Sequence, residues 1–234
     1  MVGRYILADD RDALAAAFAV PPPDPFPPRY NIAPTQPIAV VRRGVDGARE
    51  CALVRWGFIP SWAKGDALGR FLGKPLINAR AETAADKPTF RSAFRRRRCL
   101  VPASGYYEWR TEAGGRQPYL VAPADGRTPV AFAGIWETAL DPDGGEVDAA
   151  AILTIAAGPS MRAFREREPV VIPRDGYGLW LDGDETSPVD QFLAPAPDGC
   201  WRARKAPAAV NDVRNERPAL LADESSESDA GRDM

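Results

Sequence analysis

Histidine is absent from this chain of 234 residues. Its absence excludes Ser–His and Cys–His nucleophile pairs, histidine metal ligands and the usual general base that titrates near neutral pH. Acid–base chemistry must therefore fall to carboxylates, amines or water.

Cysteine is scarce. The three thiols, at Cys51, Cys99 and Cys200, are odd in number, widely spaced and without a C-x-x-C pair. This pattern excludes a disulfide framework, argues against a zinc site and predicts a reducing compartment. We expect no metal and no cofactor.

Long apolar runs are missing as well. No stretch reaches the roughly 18–20 apolar residues that a membrane span needs, and the N-terminus lacks the pattern of a secretory signal. We expect a cytoplasmic protein that acts as a monomer and has no membrane partner.

The net charge of −2 excludes a polycation, but the charge is unevenly distributed. The run RSAFRRRR at 91–98 carries five arginines, for which a solvated face is the ordinary interpretation. The end of the chain, 222–234, is acidic and rich in serine. We predict one domain over 1–221 followed by a disordered acidic tail over 222–234.

Twenty-four prolines and twenty glycines, spread along the chain, argue for short strands joined by turns. A helix is expected around Ala13–Phe18, an extended surface loop over Val20–Gln36, and hairpin turns at Gly114–Gly115 and Pro142–Gly145. Strands are predicted at Ile38–Arg42, Ala52–Phe58, Leu76–Ala81, Cys99–Pro102, Tyr106–Arg110, Tyr119–Val121, Ala131–Trp136 and Ala151–Ile155, and short helices at Asp175–Leu181 and Pro188–Leu193.

Two strand patterns carry polar side chains on one face. In LINARAET, alternation places Asn78, Arg80 and Glu82 together, and in SGYYEWR it places Glu108 on the face of Tyr106. A carboxylate among aromatic rings suits a general acid, because apolar surroundings disfavour its charged form. Exposed strand faces decorated by charge explain both patterns equally simply.

The stretch WGFIPSWAKGDALGRF interleaves aromatic and cationic residues. Flat rings that stack on bases and cations that meet phosphates are typical of proteins that bind single-stranded nucleic acid. Core packing is the competing explanation for Trp56, whereas Trp62 lies between Pro60-Ser61 and a glycine-rich loop and is harder to bury.

The blocks GRY, RYNIAPTQ, RWGFIPSWAK, LINARAET, RRCLVPASGYYEW and REREPVVIP occur in one order between about Gly3 and Pro218. In this order the chain resembles the SRAP family, the SOS response-associated peptidase or abasic-site processing proteins. The resemblance implies an α+β fold with a curved, barrel-like antiparallel sheet, a few short flanking helices and a positively charged groove for single-stranded DNA. It also implies a role in the DNA damage response.

The resemblance assigns residues to that site. It places Asn78 and Glu108 at catalytic positions. It implies a DNA-binding groove lined by Arg4, Pro34, Trp62, Arg80, Thr154 and Arg167.

Two positions depart from the family. Where the family has a cysteine whose amine and thiol capture the aldehyde of an abasic site as a thiazolidine, this chain has Val2. Where the family has a histidine, this chain has Arg165. Valine supplies no sulfur, so thiazolidine crosslinking and peptidase activity are not expected. After removal of Met1 the Val2 α-amine, with an ordinary pKa of roughly 8, remains able to form an imine.

Three hypotheses follow. The first is a protein that binds single-stranded or abasic DNA without a durable covalent bond. The second is an abasic-site lyase that works through a Schiff base on the Val2 amine, assisted by Glu108. The third is a noncatalytic module that binds RNA or a peptide.

Overall fold

The computed structural model describes residues 2–140, 143–184 and 186–223. The helices are α1 (Arg11–Phe18), α2 (Gly65–Gly73), α3 (Ala81–Ala84), α4 (Arg91–Arg96), α5 (Pro159–Arg162) and α6 (Tyr177–Asp182). The strands are β1 (Tyr5–Leu7), β2 (Arg29–Ile32), β3 (Pro37–Arg43), β4 (Arg49–Trp56), β5 (Asn78–Arg80), β6 (Arg98–Ala103), β7 (Gly105–Glu112), β8 (Gly115–Pro123), β9 (Val130–Leu140), β10 (Glu146–Ala156), β11 (Arg167–Pro169), β12 (Val171–Ile172) and β13 (Trp201–Lys205). Single 3₁₀ turns cover Arg174–Gly176, Val189–Phe192, Ala208–Asn211 and Pro218–Leu221.

A closed barrel of five strands forms the centre of the fold. Its strands follow the order β10, β4, β3, β6 and β9, and the pairing of β9 with β10 closes the ring. Small and branched apolar side chains that share one face by strand register fill it, among them Val40, Val101, Ala150 and Ile152, which are all fully buried. The predicted α+β fold with a barrel-like sheet is confirmed. One seam differs from the antiparallel expectation, because β10 runs parallel to β4 and to β5.

A second, antiparallel sheet packs against the barrel in the order β13, β8, β7, β1 and β2. Tyr5 and Tyr106 are cross-strand partners on its inner face, and both rings meet Phe132 of the barrel edge-on, with centroids 6.4 and 6.0 Å apart. The outer face carries Tyr107 and Leu120, which the segment from Ala206 to Leu220 covers. The sheet therefore has two faces, and only the inner one meets the barrel.

Several local predictions are confirmed. Helix α1 begins after Asp10, whose carboxylate accepts a hydrogen bond of 2.8 Å from the Ala13 amide, as an N-cap residue does. The hairpin between β7 and β8 turns at Gly114, and that between β9 and β10 turns through Gly144, where φ is +85° and glycine is favoured. Pro142 lies outside the described residues. The two short helices after residue 174 are also present.

Three local predictions are wrong. The expected loop over Val20–Gln36 contains β2, because the proline-free residues Arg29–Ile32 pair with β1. The strand expected over Leu76–Ala81 ends at Arg80, where helix α3 begins, so Glu82 lies on a helix. The glycine-rich loop after Trp62 is helix α2, since its apolar face packs under Ile59 and Val147. Strand β13 lies outside every predicted strand.

The arginine run is only partly a solvated face. Arg91, Arg95 and Arg96 are exposed, but Arg98 is 5% exposed. Its guanidinium donates to the carbonyls of Phe94 and Arg95 at 3.0 Å, and to those of Trp180 at 2.7 Å and Gly183. These carbonyls belong to the C-terminal ends of α4 and α6, so one buried cation satisfies acceptors that both helices leave open. Burial lowers the pKa of Arg98.

Among the described residues, no helix is long and apolar enough to cross a membrane. The 3₁₀ turn Pro218–Leu221 buries Leu220 against the outer face of the second sheet. The domain boundary at residue 221 stays a prediction, and the predicted tail beyond residue 223 lies outside the described residues.

Candidate functional site

Residue 2 is held between the barrel and the second sheet. The Val2 side chain is fully buried in the main hydrophobic cluster. Its carbonyl accepts a hydrogen bond of 2.7 Å from Nδ2 of Asn78. On the other side, Tyr5 pairs with Tyr106, and the Tyr107 amide donates to the Arg4 carbonyl at 2.9 Å. Because these strands are antiparallel, the next pair along brings Gly3 alongside Glu108.

Asn78 has an open acceptor at this point. Its strand β5 pairs with β10, with Asn78 opposite Ile152, and this register aims the amide at residue 2. The side-chain oxygen is buried and accepts no hydrogen bond from the described part of the chain. A buried acceptor without a donor is unfavourable, so this oxygen suits an N–H or O–H group that arrives with a ligand or with the chain terminus.

Glu108 is ion-paired. Its side chain is 3% exposed on β7, and Nε of Arg165 donates to Oε2 at 2.8 Å. Arg165 itself is 37% exposed, so it covers the carboxylate and faces solvent. Burial, and then the nearby carboxylates of Glu108 and Glu168, raise the pKa of the Tyr106 phenol well above its usual value. Tyr106 therefore stays a neutral phenol beside the pair.

Thr154 and Arg167 are joined in a second ion-paired group. Arg167 donates from Nε to the Thr154 hydroxyl at 3.2 Å, and from Nη1 and Nη2 to both oxygens of Glu82 at 2.9 and 2.7 Å. The hydrogen bond from Arg167 lowers the pKa of the Glu82 carboxyl. Arg80 is opposite Thr154 in the pairing of β5 with β10, and it is exposed. Two arginines thus flank one buried threonine.

Glu82 is the residue of this group that sequence reasoning missed as a site residue. Alternation along a strand grouped it with Asn78 and Arg80, but it reaches the group from helix α3 through an ion pair with Arg167. The two residues are 85 positions apart, and no local pattern reports such a pair. The only sequence signal is the acidic residue within the polar block LINARAET.

The predicted aromatic and proline positions lie on the surface. Trp62 is 55% exposed and meets Phe71 of α2 edge-on, with ring centroids 5.8 Å apart. More than half of the indole is therefore accessible to solvent. Trp56, by contrast, is fully buried, as the core-packing interpretation expects. Pro34 is half-buried in the turn between β2 and β3.

Arg4 is not brought to this group. Because side chains alternate along an extended chain, Arg4 points to the outer face of the second sheet, where Tyr107 lies. Its Nη1 donates to Oδ1 of Asn31 at 2.7 Å and to the Val210 carbonyl at 2.8 Å. Asn31 in turn donates to the carbonyls of Val210, Asp212 and Asn215. Arg4 therefore joins β1 to the segment that covers the outer face, and its contact with DNA stays a prediction.

The cysteine and acidic side chains are candidate metal ligands and nucleophiles. Within the described ranges, no group of three or more cysteine, aspartate or glutamate side chains could hold a metal ion. Burial raises the pKa of the Cys51 thiol to about 11 and that of the fully buried Cys99 well above its usual range. Both are protonated near neutral pH and are weak nucleophiles.

Fold and site together define a class of protein, a closed β-barrel that holds the N-terminal end of the chain between an asparagine and a glutamate beside several arginines. The family model of the SOS response associated peptidase (SRAP) matches residues 1–213. The chain belongs to the SRAP family.

Individual relatives extend the comparison. The abasic site processing protein YoqW of Bacillus subtilis is 31% identical over 94% of this chain and 99% of that protein. The abasic site processing protein YedK of Escherichia coli is 29% identical, over 94% and 99%. A crystal structure of a Bordetella bronchiseptica protein has a TM-score of 0.79 at 30% identity, covering 88% of this chain and 99% of that one. A Bacteroides thetaiotaomicron structure, with a TM-score of 0.81 at 21% identity, shares the fold.

Proposed function

We propose that this protein binds single-stranded DNA at abasic sites without forming a durable covalent bond to it. Its relatives are named abasic site processing proteins, and these names support an abasic site as the feature that the protein recognises in DNA. The observation that carries the proposal is the combination of a sulfur-free, buried Val2 with exposed Arg80 and half-exposed Arg165 at one site. Such a site binds phosphates but lacks the thiol that closes a thiazolidine.

Arg165 further favours binding over turnover. A guanidinium stays protonated, so it is a poor proton shuttle but a strong partner for phosphate. The Arg165 guanidinium also covers the buried Glu108 carboxylate through their ion pair. Asn78, with its open side-chain oxygen, suits a hydroxyl of the opened sugar. The proposed roles are therefore lesion contact for Asn78 and phosphate contact for Arg80, Arg165 and Arg167.

Arg80→Ala and Trp62→Ala are each expected to weaken binding of abasic single-stranded DNA about tenfold. The first loses a charged contact to phosphate, and the second loses base stacking of about 1–3 kcal/mol. Fluorescence anisotropy with a labelled abasic strand measures the affinity.

Arg116→Ala is the matched control, since Arg116 pairs with Thr111 on the outer face of the second sheet. Unchanged affinity in both Arg80→Ala and Trp62→Ala would show that the groove is elsewhere. Equal or tighter binding of an RNA strand of the same sequence would favour the noncatalytic RNA-binding alternative.

The second candidate is a lyase that forms a Schiff base on the Val2 amine, and the contact between Asn78 and the Val2 carbonyl favours it. That hydrogen bond would hold a freed α-amine at the site. If the protein is a lyase, borohydride should reduce the imine and leave a stable adduct with abasic single-stranded DNA. The adduct is detected as a shifted band on a denaturing gel. Intact mass first establishes that Met1 is removed.

The control for trapping is the same protein with its α-amine acetylated, which forms no imine. Absence of an adduct with the free amine, or an equal adduct with the acetylated one, contradicts the lyase candidate and leaves the binding proposal standing.

A further inference from the structure

The chain concentrates its positive charge between β4 and β6. Residues 61–97 hold nine lysine or arginine side chains against three acidic ones, a net charge of +6 in a chain whose total is −2. This segment, which we name the basic segment, includes Trp62, Asn78 and Arg80. More cations lie in it than the proposed site uses.

Three of these cations line one side of α4 and the turn before it. Lys87, Arg91 and Arg95 are spaced four residues apart, and all three are exposed. The amides of Phe90 and Arg91 donate to the Lys87 carbonyl at 2.9 and 2.8 Å, so a hydrogen-bonded turn that starts at Lys87 leads into α4. Four residues of α-helix rise about 6 Å, which separates Arg91 from Arg95, and Lys87 precedes Arg91 by the same number of residues. We name these three cations the α4 stripe.

The stripe has no structural partner in the described part of the chain. None of its three side chains is in an ion pair there, whereas Arg97 pairs with Glu137 at 3.1 Å and Arg98 binds helix carbonyls. Like charges four residues apart destabilise a helix by about 0.2–0.5 kcal/mol per pair. Arg95 lies in the last turn of α4, where the helix dipole favours a cation, but Arg91 lies in the first turn, where a cation is unfavourable, so helix stability does not explain Arg91.

Packing connects α4 to the proposed site. Phe90, one residue before α4, meets Phe58 edge-on with ring centroids 5.4 Å apart. Phe58 pairs with Leu76, two residues before Asn78. In the other direction, only the short helix α3 and a turn separate Arg80 from Lys87. The buried side of α4, Ala93 and Phe94, fixes which side of the helix faces solvent.

We propose that the α4 stripe binds the phosphate backbone of the DNA strand beyond the nucleotide at the site. The inference rests on the proposed function and extends its footprint. Three regularly spaced cations that have no acidic partner among residues 2–140, 143–184 and 186–223 suit a repeating polyanion and read no base. A strand that is long enough to reach from Arg80 to Arg95 contacts the stripe, and a shorter strand does not.

The test compares two variants of equal charge. Lys87→Gln/Arg91→Gln/Arg95→Gln removes the stripe, and Arg116→Gln/Arg202→Gln/Arg217→Gln removes three cations elsewhere. Arg116 and Arg202 lie on the outer face of the second sheet by strand register, and Arg217 precedes the turn that covers that face. Anisotropy measures the affinity of each protein for abasic strands of about 6 and about 20 nucleotides, lengths that span typical single-strand site sizes.

The stripe variant is expected to bind the long strand about tenfold more weakly than the wild type, and the short strand equally well. Between about 50 and about 200 mM salt, its slope of log affinity against log salt should be shallower by about two, since each phosphate contact contributes about 0.7. The control variant should match the wild type. Unfolding midpoints of all three proteins check the fold.

Equal affinities of stripe variant and control for the long strand would overturn the inference while leaving the proposed function intact. An equal loss on both lengths would also overturn it, because the stripe would then belong to the site itself. A wild type that binds neither strand would overturn the proposed function and this inference together.

Discussion

The variant Val2→Cys, freed of Met1, is expected to become covalently linked to abasic single-stranded DNA, where the wild type gives no stable adduct. The α-amine condenses with the aldehyde and releases water. The new thiol then adds to the imine carbon and its proton passes to the nitrogen, closing a thiazolidine. Valine can take part in the first step through its α-amine, but it has no thiol for the second. A band that survives denaturing electrophoresis without borohydride, at least about tenfold above the wild-type background, measures the gain.

Two further variants test whether the stable adduct requires the thiol. Val2→Ala has a freed amine and a small side chain but no thiol, and it should give no stable adduct. Val2→Cys replaces one buried methyl group by sulfur and loses the other, at about 0.5–1.5 kcal/mol, and Val2→Ala loses both, at about 1–3 kcal/mol. Both losses are smaller than the roughly 5–15 kcal/mol by which a typical domain is stable. Adding Arg165→His should speed the reaction, because imidazole transfers protons near neutral pH and guanidinium does not. If Met1-free Val2→Cys gives no adduct, residue 2 is not at the lesion.

The variant Arg98→Ala is expected to lose about 2–4 kcal/mol of unfolding free energy, since a buried polar group left without its hydrogen bond costs about 1–3 kcal/mol. The guanidinium is the shared donor for carbonyls at the ends of α4 and α6, so its removal leaves several buried acceptors without hydrogen bonds. Urea unfolding followed by circular dichroism measures the change in midpoint.

Arg95→Ala, three residues earlier and exposed, should change the unfolding free energy by no more than about 0.5 kcal/mol. Arg98→Lys tests geometry, since an ammonium keeps the charge but cannot reach two helices at once, and it should recover less than half of the loss. A loss below about 1 kcal/mol in Arg98→Ala would show that water or rearranged backbone replaces the guanidinium.

Period-two alternation within continuous strands was predictable from the sequence. It places Glu108 on the face of Tyr106, and the structure has both on β7. The same rule, applied to Arg4 and Tyr5, separates those two side chains onto opposite faces. A local rule therefore already separated the Arg4 side chain from that of Tyr5, while contact of Arg4 with DNA stays a prediction.

Long-range partners were not predictable. The contact of Arg165 with Glu108 joins residues 57 positions apart, and that of Arg98 with the Gly183 carbonyl spans 85. A pattern read in a short window sees the charge of each arginine and not the acceptor that tertiary packing brings to it. The strand position predicted for Glu82 was wrong for a different reason. Strand alternation was extended beyond Arg80, but the alanine-rich residues Ala81–Ala84 form a helix.

The parallel pairing of β10 with β4 and β5 affects the order in which the elements of the protein assemble during synthesis. Strand β5, which carries Asn78 and Arg80, is three residues long and pairs with β10, and the same β10 closes the barrel against β4. A growing chain therefore lacks the strand that pairs with β5 until residues Ile152–Thr154 of β10 have been made. The pairing of β10 closes the barrel and positions Asn78 and Arg80 in the same step. A nascent chain that ends before β10 therefore exposes the basic segment before the site has formed.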